Sequence, residues 1–351
     1  MKLFCSLFAV VVFLFWLFPA HSQQTSKPPL RPVTWVEVVS LLIKNVPQEN
    51  IASLLNERSL GFPASAHFIE PLQEAGAKEP LLEAIRRAGQ SVKENFQPSQ
   101  MEVSEAEQTL RDALRTQANN ALLHHLLGVI LGYKANLSDP RVAGKIWGDA
   151  IREIRESIKI SPDNYLAHYD LAPLLENKFP PDRNGVISEY RKVVALKPDW
   201  AQGYAALGSA LWWKRDWAGR VAAYQSAVRL DPSNPEYHHN LGNAFSDMQD
   251  FEASRREYLE ALRLDPKDDA SISGLYQIGI KKYERGDVDG AIVLYSDVLK
   301  LKPDDAACYF RLGEALLRKG NKAASEDAFR RACELNPKSS TFRWKCEELS
   351  R

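Results

Sequence analysis

The chain has 351 residues, with 45 lysines and arginines balanced by 45 aspartates and glutamates. That neutrality supplies no electrostatic case for nucleic acid or for an anionic membrane surface as partner. A hydrophobic content of 45% excludes a disordered chain and fits two or three ordinary domains or one elongated array.

Residues 1–22 read as an export signal. Lys2 precedes an apolar run from Leu3 to Phe18, broken only by Ser6, then Pro19 and the triplet Ala20-His21-Ser22, suited to cleavage before Gln23. The run is slightly long for a signal core and short of the roughly 20 apolar residues of a bilayer-spanning helix. An uncleaved N-terminal anchor is therefore the second reading, and residues 3–18 would then be the only membrane contact. Cys5 lies too close to the start to be a lipoprotein attachment site. Either reading places the protein outside the cytoplasm, in the periplasm or secreted. Residues 23–33, "QQTSKPPLRPV", form a polar, proline-rich tether of the polyproline kind.

Residues 34–95 are expected to be a small helical module. "TWVEVVSLLIKN" opens on Thr34, a good N-cap, and has apolar residues at helical spacing. "PQENIASLLNER", "SAHFIEPLQEAGA" and "KEPLLEAIRRAG" read as three further short helices, with Gly76 between the last two. Residues 96–120 look like the second half of a repeat whose first half has degenerated.

From about residue 120 the chain repeats itself. The phrases "ISPDN", "LKPDW", "LDPSN", "LDPKD", "LKPDD" and "LNPKS" carry prolines at 162, 198, 232, 266, 303 and 337, spaced 36, 34, 34, 37 and 34 residues apart. Upstream of each lies a step onto a small residue: Leu127-Gly128, Leu171-Ala172, Leu207-Gly208, Leu241-Gly242, Ile278-Gly279 and Leu312-Gly313. The glycine or alanine lets two helices approach closely, and the proline stops the second helix before the next unit. These residues resemble the tetratricopeptide repeat family, a helix-turn-helix of 34 residues. The clearest unit is 201–234, where Tyr204, Leu207, Gly208, Leu211, Tyr224, Ala227 and Pro232 fill the family's pattern. Arg220 departs from it, standing where a small residue is usual, and implies relaxed packing there.

The resemblance implies an all-α fold: a right-handed α-α solenoid of about six helix pairs over 121–338. A capping helix over 339–351 follows it and a small helical region precedes it. A similar helical module stands ahead of such repeats in some bacterial exported proteins. The first unit carries roughly ten extra residues, "ANLSDPRVAGKIW", expected to lengthen its inter-helix turn, and the second inserts Pro180-Pro181 at the same place. Asn136-Leu137-Ser138 is a glycosylation sequon, relevant only in a eukaryotic host.

The sequence holds no phosphate-cradling loop, nucleophile elbow or metal-spaced cysteine and histidine cluster, so no enzyme activity, metal or cofactor is expected. His124, His168 and His238 share one repeat position, usually an aromatic packing site, and read as replacements for a ring. Cys308, Cys333 and Cys346 all lie at the C-terminal end. A Cys308–Cys333 disulfide would staple the last helix pair, with Cys346 competing for Cys333; free buried thiols are the alternative.

In the family, first helices line a concave face where partner peptides lie. That implies a peptide-binding groove of Tyr169, Trp212, Trp213, His239, Asn240, Asn243, Tyr276, Tyr283 and Phe310. The lysines and arginines with which co-chaperone repeats clamp a terminal carboxylate are missing from the corresponding positions: His125, Val129, Tyr169, Pro173, Ser209, His239 and Asn243. The expected function is a non-catalytic scaffold or adaptor in the cell envelope, binding a protein or peptide. A substrate-recruiting part of an envelope enzyme system, or a self-associating structural protein, are the alternatives.

Overall fold

The computed structural model describes residues 38, 41–42, 47–58, 69, 72–73, 76–89, 100–340 and 343–349. The expected export segment, the proline-rich linker, most of "TWVEVVSLLIKN" and most of "SAHFIEPLQEAGA" lie outside these residues. The described residues are helices and turns, with no strand among them. They divide into two compact parts, Met1–Ala118 and Asn119–Arg351.

The N-terminal part contains α1 (Gln48–Arg58), α2 (Glu79–Gly89) and α3 (Gln100–Thr116). Ile51 and Leu55 of α1 and Leu81, Leu82 and Ile85 of α2 are buried. The Gln48 side chain joins the two helices. Its Nε2 donates to the Gly76 carbonyl at 2.7 Å, and its Oε1 accepts from the Lys78 backbone N–H at 2.8 Å.

The C-terminal part holds six helix pairs and a short last helix. The pairs are α4 (Ala121–Asn136) with α5 (Pro140–Ile160), and α6 (Tyr165–Asn177) with α7 (Arg183–Leu196). Next come α8 (Ala201–Leu211) with α9 (Trp217–Leu230), and α10 (Pro235–Asp247) with α11 (Phe251–Leu264). Then follow α12 (Asp269–Glu284) with α13 (Val288–Leu301), α14 (Ala306–Arg318) with α15 (Lys322–Leu335), and α16 (Arg343–Leu349). Each helix packs on its pair-mate and on its sequence neighbour.

Local chemistry sets the helix starts. Asp182, Asp216, Asp250, Asp287 and Asn321 cap the second helices of repeats 2 to 6, each side chain accepting a backbone N–H from the first turn. Such caps contribute about 1 kcal/mol each. The ten extra residues of repeat 1 do not lengthen its turn, as expected from sequence, but go into helix. Asp139 caps and Pro140 opens α5 directly after α4 ends, giving α5 21 residues against 14 in α9. Proline at the first helical position gives up an N–H that has no partner there anyway.

Within every pair but the second, where Ala172 takes its place, the glycine of the first helix lies against a bulky side chain of the second. A Cβ at Gly208 would fall 2.8 Å from the Tyr224 ring, one at Gly242 2.7 Å from Tyr258, one at Gly279 2.8 Å from Tyr295 and one at Gly313 2.7 Å from Phe329. In repeat 1, Gly128 meets Ile154 in the same way. The tyrosine hydroxyls emerge beside the residue following that glycine. Tyr224 shares a 2.7 Å hydrogen bond with Ser209, and Tyr258 donates to Asn243 Oδ1 at 2.7 Å. In repeat 5 that place is taken by Ile280, and the buried Tyr295 hydroxyl has no hydrogen-bond partner.

The disulfide joins Cys333 to Cys346, while Cys308 is a buried free thiol. The expected Cys308–Cys333 pairing is thus corrected. Cys308 turns toward the preceding repeat, its Sγ donating to the Tyr295 carbonyl at 3.5 Å, whereas Cys333 stands on α15 where α16 packs. Burial raises the Cys308 thiol pKa to about 12.

The tyrosines yield a test. Removing the hydroxyl with Tyr258→Phe leaves the Asn243 amide oxygen short of a donor and should cost about 1 kcal/mol in urea denaturation. Tyr295→Phe, which deletes an unsatisfied buried group, should be neutral or stabilising by a similar amount. Equal losses from both would contradict the hydrogen-bond pattern.

Candidate binding site on the first helices

The groove residues expected from sequence separate into distinct environments. Phe310 is not a groove residue: it is 6% exposed, packed between Phe329 at 5.2 Å and Trp344 at 6.4 Å between ring centroids. It occupies the repeat position of His239 and Tyr276, but here α16 covers it. Tyr169 is a joint between repeats 2 and 3. Its ring lies 5.6 Å from Tyr190 and 4.9 Å from Trp200, and its hydroxyl accepts from Gln202 Nε2 at 3.0 Å. Burial, with Asp170 nearby, raises the Tyr169 pKa to about 12. Tyr276 leans on Tyr295 at 5.9 Å, and Tyr283 lies under the Arg318 guanidinium at 5.0 Å while its carbonyl accepts from Arg318 Nη1. Asn240 is half-buried on α10.

Trp212 and Trp213 are separated by a change of helix type. After Leu211 the α-helix tightens into a single 3₁₀ turn, Trp212–Lys214, and Arg215 then takes a left-handed φ of 55°. Successive side chains in a 3₁₀ turn diverge by about 120°, so the two indoles reach different surfaces. Trp213 is half-buried, with the Arg183 guanidinium of the preceding repeat 5.8 Å from its ring. Trp212 keeps 52% of its surface exposed.

Trp212, His239 and Asn243 line one pocket of about 510 Å³, bounded by the end of α8, the start of α9, α10 and α12. Its interior is a connected polar network. Asn243 Nδ2 donates to His239 Nε2 at 2.8 Å, which leaves the ring proton on Nδ1 to be donated to Ser271 Oγ at 2.9 Å. Histidine in this tautomer is neutral. Tyr258 at the floor has its pKa raised to about 12, by burial first and then by the charge of Asp247.

Sequence reasoning did not place Arg220, Asp247, Ser246 or Lys281 in this pocket. Arg220 was legible only as an anomaly. It occupies the repeat position of Ser254 and Ser325, whose hydroxyls donate to the Gly242 and Gly313 carbonyls at 2.8 Å. Rather than splaying the repeat, Arg220 runs over the Tyr224 ring at 5.7 Å and pairs through Nη1 with Asp247, remaining only 8% exposed. Lys281 Nζ donates to Ser246 Oγ at 3.0 Å.

The histidines expected to replace packing rings make hydrogen-bonded links instead. His168 Nδ1 meets Glu189 at 2.5 Å and its Nε2 meets the Pro162 carbonyl at 3.0 Å. His238 repeats the arrangement with Glu257 at 2.8 Å and the Pro232 carbonyl at 3.1 Å, and His124 meets Glu153 at 2.8 Å. Each ring therefore ties a first helix to its second helix, and two of them also reach back to the preceding proline turn. Burial pushes the Glu189 carboxyl pKa up, but hydrogen bonds from His168 and Lys192 outweigh it and hold the group below its ordinary value. Among the described residues, no group of three His, Cys, Asp or Glu is placed to hold a metal ion. No helix among them is long and apolar enough to cross a membrane.

The Arg220–Asp247 pair can be tested by comparing two variants. Asp247→Ala leaves a mostly buried guanidinium unpaired and should cost about 2–3 kcal/mol, less than a fully buried pair because the Asp247 side chain is 30% exposed. Arg220→Ser restores the residue type found in repeats 4 and 6 and should cost clearly less. The reverse order, measured by thermal or urea denaturation, would show that Arg220 contributes packing rather than a charge needing its partner.

Tetratricopeptide repeat models match residues 235–268 and 276–340, and a TPR repeat model matches 217–249. No curated protein sequence matches the chain significantly. The C-terminal part of a TPR repeat-containing protein from Cytophaga hutchinsonii has a similar structure, with a TM-score of 0.51 at 13% identity over 68% of this chain and 92% of that one. MamA from Desulfovibrio magneticus RS-1 gives 0.41 at 23% identity, over 48% and 88% of the two chains. YrrB, described as a TPR protein with an unusual peptide-binding site, gives 0.42 at 17%, over 56% and 98%. The C-terminal part of the chain is an α-α solenoid, and its residues 217–268 and 276–340 carry tetratricopeptide repeats.

Proposed function

We propose that this protein is an adaptor of the cell envelope that holds a segment of a partner protein against the first helices of repeats 3 to 5. The observation that carries the reading is the pocket of about 510 Å³ with an indole left 52% exposed at its rim. A large aromatic side chain is costly to leave in water and supplies much of the contact energy when covered. The amides and hydroxyls around it, from Asn243, Gln277 and Ser273, suit the backbone of an extended segment. Export rests on the sequence of residues 1–22 and is consistent with a Cys333–Cys346 disulfide, which persists in oxidising compartments.

Two measurements test this. The mature protein, immobilised, should retain a partner from envelope extract, and Trp212→Ala should weaken that retention about tenfold or more with an unchanged melting temperature. Trp213→Ala should instead lower stability and leave the partner bound; retention unaffected by Trp212→Ala would move the binding face elsewhere. Thiol counting addresses export. Alkylation of the denatured, unreduced protein from cells should modify Cys308 alone if the signal has been removed, whereas retention of residues 1–22 adds Cys5. Three reactive thiols in the mature chain would mean a reducing location.

A further inference from the structure

We infer that the partner segment presents an acidic side chain to this pocket, between Lys281 and Arg220. The inference rests on the groove reading above and adds the chemistry of the ligand. Three ionised groups line the cavity: Arg220, Asp247 and Lys281. Asp247 is committed to Arg220. Lys281 is hydrogen-bonded only to a neutral hydroxyl, Ser246 Oγ, and no ion pair of Lys281 occurs among the described residues. Its neighbour Lys282 shows the contrast, since it is held by both Glu252 and Asp287 at 2.7 and 2.8 Å. His239 adds no charge, because its Nε2 accepts the Asn243 amide proton. Among the ionised lining groups Lys281 is therefore the one without an ionised partner, the further carboxylate of Asp268 lying behind the wall at 3.6 Å from His239 Nδ1.

The Arg220 guanidinium is also incompletely satisfied, its Nε being buried without a hydrogen-bond partner. A carboxylate entering beside Lys281 would continue the alternation of charge already begun by Asp247 and Arg220. Complementary charge in a partly enclosed site fixes register and excludes wrong partners. The cavity is far larger than one carboxylate, so residues flanking the acidic one would reach Trp212 at the rim. These cations stand on α9 and late in α12, away from the positions whose lack of lysine and arginine argued against a clamped chain terminus. The structure thus favours a side-chain carboxylate within a segment.

The test is selection from a random dodecapeptide library displayed on phage with each peptide's C-terminus fused to the coat protein, so that only side chains can supply a carboxylate. The mature protein should select peptides sharing an Asp or Glu at a fixed distance from an apolar residue. Lys281→Gln, a change at an exposed position, should still select peptides but without that acidic residue. For one selected peptide made synthetically, Glu→Gln or Asp→Asn should weaken binding to the parent about tenfold, and to Lys281→Gln much less. Parental peptides with no acidic preference, or the same acidic motif selected by Lys281→Gln, would overturn this proposal and leave the groove reading intact. If neither protein selected any peptide while both remained folded by circular dichroism, the groove reading would fall and this inference with it.

Discussion

The C-terminal part of this molecule depends on aromatic rings held between backbones that carry no side chain. Tyr258 shows the constraint most fully. A Cβ at Gly242, in its own repeat, would lie 2.7 Å from the ring, and one at Gly274, in the next repeat, 2.4 Å. One side chain thereby sets both the spacing within repeat 4 and the docking of repeat 5. Alanine would be the better helix former at both glycines by roughly 0.5–1 kcal/mol, so the close approach must return more than that. Repeats that bury little alone are stable through such shared contacts.

The same joints shape the surface proposed for partner binding. Ser209 and Asn243 follow their glycines directly, and each is hydrogen-bonded by the tyrosine hydroxyl behind it. Asn243, which faces the pocket, is therefore oriented by the packing beneath it. Rigid side chains lose little conformational entropy when a partner is seated on them. The Arg220–Asp247 pair extends the scheme across a repeat boundary, replacing the serine-to-carbonyl hydrogen bond of repeats 4 and 6 with an ion pair that also forms the pocket wall.

Much of the fold was legible because its signals are local and periodic. The prolines and the Asp or Asn before each second helix act within a few residues of where they stand, and the small-residue steps recur with the repeat period. The features that escaped depend on something the period does not encode. Phe310 falls in register with His239 and Tyr276, and only the docking of α16 makes it core. The cysteine pairing turned on which face of its helix each thiol occupied. The extra residues of repeat 1 look like a loop until Pro140 is recognised as the first residue of a helix rather than the end of one. Trp212 and Trp213 could be separated only by knowing that the α-helix tightens at Leu211. Arg220 stood out in the sequence, but its partner 27 residues away in Asp247 did not.

The hydrogen bond from Tyr258 to Asn243 has a mechanical consequence. The tyrosine ring is the hinge pin between repeats 4 and 5, and its hydroxyl is anchored by an amide whose other edge is turned toward His239 in the pocket. A guest that competes for that amide loosens the pin, and one that leaves the amide in place and adds contacts around it tightens the pin. On the proposed reading, occupancy of the pocket would therefore be coupled to bending stiffness of the solenoid at that point. Repeat 5 lacks the connection, because Ile280 offers its tyrosine nothing to hold.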